Sequence, residues 1–92
     1  MENTQSLQYI KQAFELKDQK YYKPAIEMLY KALELENDNI EILYQIGELY
    51  FLMNNYTRAL QYLEKVQSIN PTHIDSLKLT RTIKAVSYTH LR

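Results

Sequence analysis

Few residues of this sequence are of the types that carry out catalysis. The chain has no cysteine, and its two histidines, His73 and His90, do not recur at the helical spacing that metal ligands need. His73 is therefore expected to be a surface residue of a turn. Gly47 is the only glycine, which excludes a glycine-rich loop around phosphate groups. The carboxylates lie among lysines, as on a solvated helix face. The sequence predicts a protein that is not an enzyme and holds no metal or cofactor.

Charge and composition exclude further classes of protein. The 92 residues carry 11 basic and 11 acidic side chains, so the positive excess of a nucleic-acid-binding protein is missing. No apolar run is long enough to predict a membrane span, and the opening MENTQSLQYIKQ lacks the layout of a signal peptide. These features favour a small cytoplasmic domain that binds neither nucleic acid nor a membrane. The many Lys, Ile, Asn and Tyr residues favour a bacterial source.

The sequence predicts that its secondary-structure elements are helices. One glycine and two prolines supply too few turns for a β-sandwich or a barrel, and apolar residues recur at three- and four-residue spacing. The patterns predict helices over about 5–19, 22–36, 39–53 and 56–69, and a fifth from near Thr72. Asn54 is expected to adopt a left-handed backbone conformation in the turn before the fourth helix.

One pattern of residues occurs twice. Residues 22–36 and 56–70 share few letters, but their small and bulky residues fall in one register 34 residues apart. Ala25 and Ala59, for example, hold equal places, where two helices of a hairpin would approach closely. A helix–turn–helix unit that recurs with this period is the signature of a solenoid. The sequence therefore predicts an all-α fold.

These units resemble the tetratricopeptide repeat family. Residues 40–73 match best, and the family's signature places are held there by Leu43, Ile46, Gly47, Tyr50, Tyr56, Ala59, Leu63, Val66 and Pro71. Residues 6–39 match less closely and depart at Gln12 and Asn37. The resemblance implies a right-handed solenoid of helical hairpins with two full repeats, 6–39 and 40–73. Residues 74–85 would then form either the first helix of a third repeat or a capping helix.

The first helix differs from the third along one stripe. Polar residues Gln8, Gln12, Glu15 and Gln19 stand where the third helix has Ile42, Ile46, Leu49 and Met53. A terminal repeat needs a polar outer face because no neighbour covers it. We therefore expect this stripe to face water and residues 5–19 to form the N-terminal end of the array.

The last seven residues, Val86–Arg92, differ from the repeats in their expected origin. Their sequence, VSYTHLR, resembles the translated read-through of a transposon adapter used to prepare DNA libraries. We expect 86–92 to be a non-native tail, and the chain to be the N-terminal fragment of a longer protein. The alternative is a native capping helix, which Arg81 and Lys84 favour because a continuing repeat would place small or apolar residues there.

In the resembled family, the first helix of each repeat lines a concave groove that holds a peptide or a helix. The resemblance places in this groove Leu7, Ile10, Phe14, Glu41, Tyr44, Gln45, Glu48, Phe51 and Lys78. The spacing of Leu7, Ile10 and Phe14 independently predicts an apolar stripe beside the core stripe, and such a stripe usually marks a binding surface. Phe14 and Tyr44 are the expected anchors for a partner.

Two functions remain open for this stripe. The first is a protein-interaction module, whose partner would be an apolar segment flanked by Lys or Arg because the groove carries carboxylates. The second is structural: the stripe widens a small core or contacts further repeats or another copy, so that the chain self-associates or positions a further domain.

Overall fold

The computed structural model describes the backbone of residues 4–90 and the side chains of residues 4–86. Its elements are α1 (Thr4–Asp18), α2 (Tyr22–Leu35), α3 (Ile40–Leu52), α4 (Tyr56–Ile69) and α5 (Ile74–His90). Within residues 4–90 no strand occurs. α1 packs along α2 and α3 along α4 as two helical hairpins, while α2 also packs on α3, and α4 on α5. The prediction of an all-α solenoid of helical hairpins is confirmed.

The two hairpin turns have the same backbone geometry. Lys20 and Asn54 lie 34 residues apart and have positive φ angles of 67° and 65°. The backbone N–H of the residue after each of them donates to the carbonyl five residues earlier. These bonds run from Tyr21 N–H to the Leu16 carbonyl (2.9 Å) and from Asn55 N–H to the Tyr50 carbonyl (2.8 Å). This is the Schellman arrangement, which requires a left-handed residue. The prediction for Asn54 is confirmed. Lys20 adopts the same left-handed conformation, although it lacks the short polar side chain with which asparagine can stabilise it by a local hydrogen bond.

Side-chain caps begin three of the helices. Asn39 Oδ1 accepts from the Glu41 and Ile42 N–H groups (2.9 and 3.3 Å) at the start of α3, and Asn55 Oδ1 accepts from Arg58 N–H (3.3 Å) at α4. His73 holds the place of Asn39 one repeat later, and its Nδ1 accepts from Ser76 N–H at 3.1 Å. Each cap satisfies a backbone donor that the helix leaves free.

The prediction for His73 is wrong in part. The residue does lie in a turn, but its side chain is half-buried, and its ring lies 5.3 Å from the ring of Tyr44.

The fifth helix also begins two residues later than expected. Thr72 is held in the turn by Asn70 Oδ1, which accepts from its backbone N–H and from its hydroxyl (3.2 and 3.0 Å).

Small residues allow the helices of each hairpin to approach closely. Ala25 and Ala59 are both fully buried. At Gly47, an added Cβ atom would lie 3.3 Å from the side chain of Leu63 and 3.4 Å from the carbonyl of Ala59. The buried residues form a first core cluster and a second one. The first comprises Ala13, Ala25, Ile26, Leu29, Ala32, Ile42, Ile46 and Leu49; the second comprises Ala59, Leu63 and Ile83.

The polar stripe of α1 faces water, as predicted. Gln8, Gln12, Glu15 and Gln19 are all exposed, whereas Ile42, Ile46 and Leu49 are fully buried and Met53 is half-buried. The buried counterparts in α3 pack in the first core cluster, which includes residues of α2. α1 has no preceding helix against which an apolar stripe could pack within the described residues.

The backbone of α5 continues through His90. Ile83 is fully buried in the second core cluster, and Gln67 Nε2 of α4 donates to Thr80 Oγ1 of α5 at 2.9 Å. Residues 91–92 and the side chains of 87–90 lie outside the described part of the chain. The boundaries of the two repeats and the non-native tail stay predictions.

We expect His73→Ala to lower the free energy of unfolding by about 1 kcal/mol, because Ser76 N–H loses its acceptor. His73→Asn should lose less, since an asparagine oxygen caps α3 from the equal place. Urea denaturation of the three proteins measures the difference. Equal losses in both variants would show that the ring contact with Tyr44, not the cap, stabilises this turn.

Ala59→Leu should destabilise the chain by about 1–3 kcal/mol, because a larger side chain cannot fit where α3 and α4 cross. Gln12→Leu serves as the control on the exposed stripe of α1 and should change stability by less than about 0.5 kcal/mol. Thermal and urea unfolding monitored by circular dichroism give both values. A large loss in the Gln12 variant would contradict the exposed position of that stripe.

Candidate functional site

The residues predicted to line a groove lie on α1, α3 and α5, and we call their surface the first-helix face. It comprises Leu7, Ile10, Phe14, Glu41, Tyr44, Gln45, Glu48, Phe51 and Lys78. Lys17 Nζ of α1 forms an ion pair with Glu48 Oε1 of α3. The contact of Tyr44 with His73 joins α3 to the turn that begins α5. These contacts link the end of α1 to α3, and α3 to the start of α5.

The apolar stripe of α1 is only partly used by the core. Leu7 and Phe14 are 47% and 39% exposed, while Ile10 between them is half-buried and packs against the first core cluster. Leu7 and Phe14 are two helical turns apart and so lie on the same side of α1. Exposed apolar side chains of this size on one face are available for contact with another molecule.

The two aromatic residues of α3 belong partly to the core. Tyr44 and Phe51 are half-buried and pack against the second core cluster, and the ring of Phe51 lies 6.0 Å from that of Tyr56. Tyr44 and Phe51 therefore stabilise the second hairpin as well as shaping the surface. The prediction of Tyr44 as an anchor separate from the core does not account for this packing.

The polar groups of the face differ in how far they are satisfied. Glu48 is paired with Lys17, and Glu41 Oε1 accepts from Gln45 Nε2 at 3.1 Å. Gln45 Oε1, in contrast, is buried and has no hydrogen-bond partner among the described atoms. Buried acceptors without a partner are rare in folded proteins. Lys78, at the α5 side, is exposed.

Tyr44 lies in a negative environment. Burial, together with the nearby carboxylates of Glu48, Asp75 and Glu41, raises the pKa of its hydroxyl from the ordinary value of 10 to about 12. Each nearby negative charge disfavours the phenolate. The same field favours a cation beside the ring, and an aromatic face itself attracts Lys and Arg. This part of the face can therefore recognise a basic side chain.

A tyrosine cluster that joins α2, α3 and α4 was not predicted. The hydroxyls of Tyr30 and Tyr50 lie 2.6 Å apart, and the Tyr62 hydroxyl donates to Tyr30 at 3.2 Å. The rings of Tyr50 and Tyr62 stack at 5.9 Å. Burial, followed by the two hydrogen bonds, raises the pKa of Tyr30. Tyr30 and Tyr62 are not at equal places of the repeat, so the 34-residue register gave no signal for their contact.

Beside the tyrosine cluster lies an open cleft of about 680 Å³ between α2, the start of α3 and α4. We call it the α2–α4 cleft. Tyr30, Leu33, Glu34, Asp38, Leu43 and Ile69 are among its lining residues. Only the packing of the two hairpins creates this space, and no pattern in the sequence predicts it.

The described residues offer surfaces for binding. No group of three or more His, Asp or Glu side chains among them is arranged to hold a metal ion. None of the helices in the described part of the chain combines the length and the apolar character needed to cross a membrane. What the first-helix face can do chemically is to bury apolar side chains and to pair with charges.

The raised pKa of Tyr44 makes stability depend on alkaline pH. Between pH 10 and about 12 the unfolded phenol has lost its proton while the folded one keeps it, so the free energy of unfolding falls as pH rises. Tyr44→Phe should remove part of this fall and one late step in the phenolate absorbance. Tyr30, whose pKa is also raised, should keep its own late step. Loss of a step near pH 10, with the late absorbance change unaltered, would contradict the raised pKa of Tyr44.

Comparison with known proteins supports the repeat architecture. No curated protein matches the chain. The family model described as tetratricopeptide repeat matches residues 16–81, well over half of the sequence. The matched segment runs from the last turn of α1 into α5 and includes the close crossing of α3 with α4 at Gly47. Members of this family are generally protein–protein interaction modules rather than enzymes. The chain belongs to the tetratricopeptide repeat family.

Proposed function

We propose that this chain binds a partner protein by holding one of its peptide or helical segments on the first-helix face. The observation that carries the proposal is the exposure of Leu7 and Phe14, 47% and 39% respectively, on one side of α1. The core-facing stripe of the same helix packs separately from this pair, with Ala13 buried in the first core cluster. A partner that covers the exposed pair would remove apolar surface from water without disturbing the fold.

The charges of the face favour a basic residue at one end of the partner segment. Glu48 is already neutralised by Lys17, but Glu41 and Asp75 are exposed and form no ion pair with a described residue. Both carboxylates act on Tyr44. A Lys or Arg beside the Tyr44 ring would therefore gain from two carboxylates and an aromatic face.

The expected partner segment follows from these two parts of the face. Its apolar side chains would cover Leu7 and Phe14 on α1, and its Lys or Arg would lie near Tyr44 on α3. The segment recognised would thus be apolar with a basic residue on one side.

The structural alternative predicts a different use of the same residues. It is favoured by the packing of Tyr44 and Phe51 against the second core cluster. In that case the face would be covered by further repeats or a further domain, and isolated peptides would not bind. The experiment below separates the two functions.

The test is a selection of peptides from a random library on the immobilised chain, followed by affinity measurements on synthetic peptides. We expect the selected peptides to combine apolar residues with Lys or Arg. The double variant Leu7→Ala/Phe14→Ala should bind them at least about tenfold more weakly, a loss of about 1.4 kcal/mol. Its helical circular dichroism should be unchanged, because both side chains are exposed.

Leu35→Ala is the matched control, since Leu35 is 41% exposed but lies on α2, outside the first-helix face. It should bind the peptides as the unaltered chain does. The double variant Glu41→Gln/Asp75→Asn should weaken the binding of basic peptides and make it less sensitive to salt. A failure to select any peptide, or equal losses at Leu35 and at the Leu7/Phe14 pair, would contradict the proposed function.

A further inference from the structure

α5 has a second face that no described residue covers. Ile74 and Leu77 on it are 64% and 40% exposed, and Arg81 and Lys84 are also exposed. These four residues are three or four positions apart and therefore form one stripe along the helix. We call them the α5 stripe. It is apolar at the start of the helix and positively charged further along.

The repeat register shows how this stripe differs from the equivalent positions of α3. Leu77 stands at the place of Leu43, 34 residues earlier, which is only 3% exposed and lines the floor of the α2–α4 cleft. Arg81 likewise stands at the place of Gly47, whose missing Cβ lets α4 pack closely. A large cation at this position excludes the same close helix crossing. The stripe therefore suits a partner surface that offers apolar contact and negative charge.

The α2–α4 cleft offers such a surface. Leu33 and Leu43 contribute apolar lining, and Ile69 beside them is 45% exposed. Glu34 and Asp38 also line the cleft; both are exposed, and neither forms an ion pair with a described residue. Lys65 also lines the cleft, and its ammonium lies over the Tyr62 ring, 5.0 Å from the ring centre. Two carboxylates against one cation leave the cleft negative, which is complementary in charge to a stripe with two unpaired cations.

We propose that the α5 stripe of one copy of this chain docks into the α2–α4 cleft of a second copy. Leu77 and Ile74 contact the apolar lining, and Arg81 and Lys84 face Glu34 and Asp38. The alternative pairing of two stripes would bring four cations together, which opposes association. The stripe and the cleft are different surfaces of one chain, so the contact is head-to-tail and leaves a free stripe and a free cleft at the ends of every assembly.

This contact is independent of the proposed function. None of its residues belongs to the first-helix face. Association and peptide binding can therefore be measured separately. A chain that associates but binds no peptide would contradict the proposed function alone, and a chain that binds peptides as a monomer would contradict this inference alone.

The test is sedimentation velocity of the full chain over a range of concentrations up to about 1 mM. We expect species that grow with concentration beyond a dimer and that dissociate at high salt, because the facing charges are exposed at the rim. The stripe variant Arg81→Glu/Lys84→Glu and the cleft variant Glu34→Lys/Asp38→Lys should each be monomeric at concentrations where the unaltered chain associates. Each variant places like charges on the two surfaces.

The decisive step is to combine the changes. The chain that carries all four substitutions has opposite charges on the two surfaces again, with the signs exchanged, and should regain self-association. Lys11→Glu/Lys23→Glu is the matched control: it alters the net charge as the stripe variant does, at exposed lysines outside both surfaces, and should associate normally. Circular dichroism of every variant verifies that it is folded.

Three results would overturn the inference. The first is a chain that stays monomeric at about 1 mM and low salt. The second is association that persists in the stripe variant or the cleft variant, which would assign the contact to other residues. The third is a folded four-substitution chain that fails to associate, which would mean that these surfaces accept a different molecule.

Discussion

The close approach of the two helices in each hairpin is the constraint on which the rest of the structure depends. Where α3 crosses α4, the absent side chain of Gly47 leaves just enough room for Leu63, because a Cβ atom there would lie 3.3 Å from it. Ala59 lies at the same crossing and Ala25 lies in the first hairpin, and both alanines are fully buried. Small residues are needed here since a helix pair that stands further apart would leave space between its side chains, and protein interiors tolerate few such voids.

This constraint also decides which side chains remain for contact with other molecules. Once one stripe of each helix is committed to the crossing, the side chains offset from it must face water or a partner. On α1 that offset stripe holds Leu7 and Phe14, and on α3 it holds Tyr44 among carboxylates. The tyrosine cluster and the α2–α4 cleft lie instead where α2 meets α3 and α4. One packing rule thus gives the molecule two chemically different surfaces.

Features with a local cause could be predicted from the sequence. The helices follow the spacing of apolar residues, the left-handed turn follows from Asn54, and the exposed edge follows from polar residues such as Gln12. Features that require two distant segments to meet could not. The ion pair of Lys17 with Glu48 joins residues that are 31 positions apart in the sequence. The cap formed by His73 was missed because histidine rarely takes a place that asparagine fills in the preceding repeat. Of the candidate site, the residue positions followed from the repeat register, but their partial burial did not.

The tyrosine cluster has a consequence for how the molecule loses its structure. Tyr30 belongs to the first hairpin, whereas Tyr50 and Tyr62 belong to the second, so both hydroxyl hydrogen bonds cross the boundary between hairpins. Solenoids behave as linear arrays in which each unit is marginal alone and gains stability from its neighbour. A polar network at that boundary is disrupted as a whole, because opening either hairpin leaves the other with hydroxyls that have lost their partners. The cluster therefore couples the unfolding of the two hairpins, so that the array unfolds as a single cooperative unit.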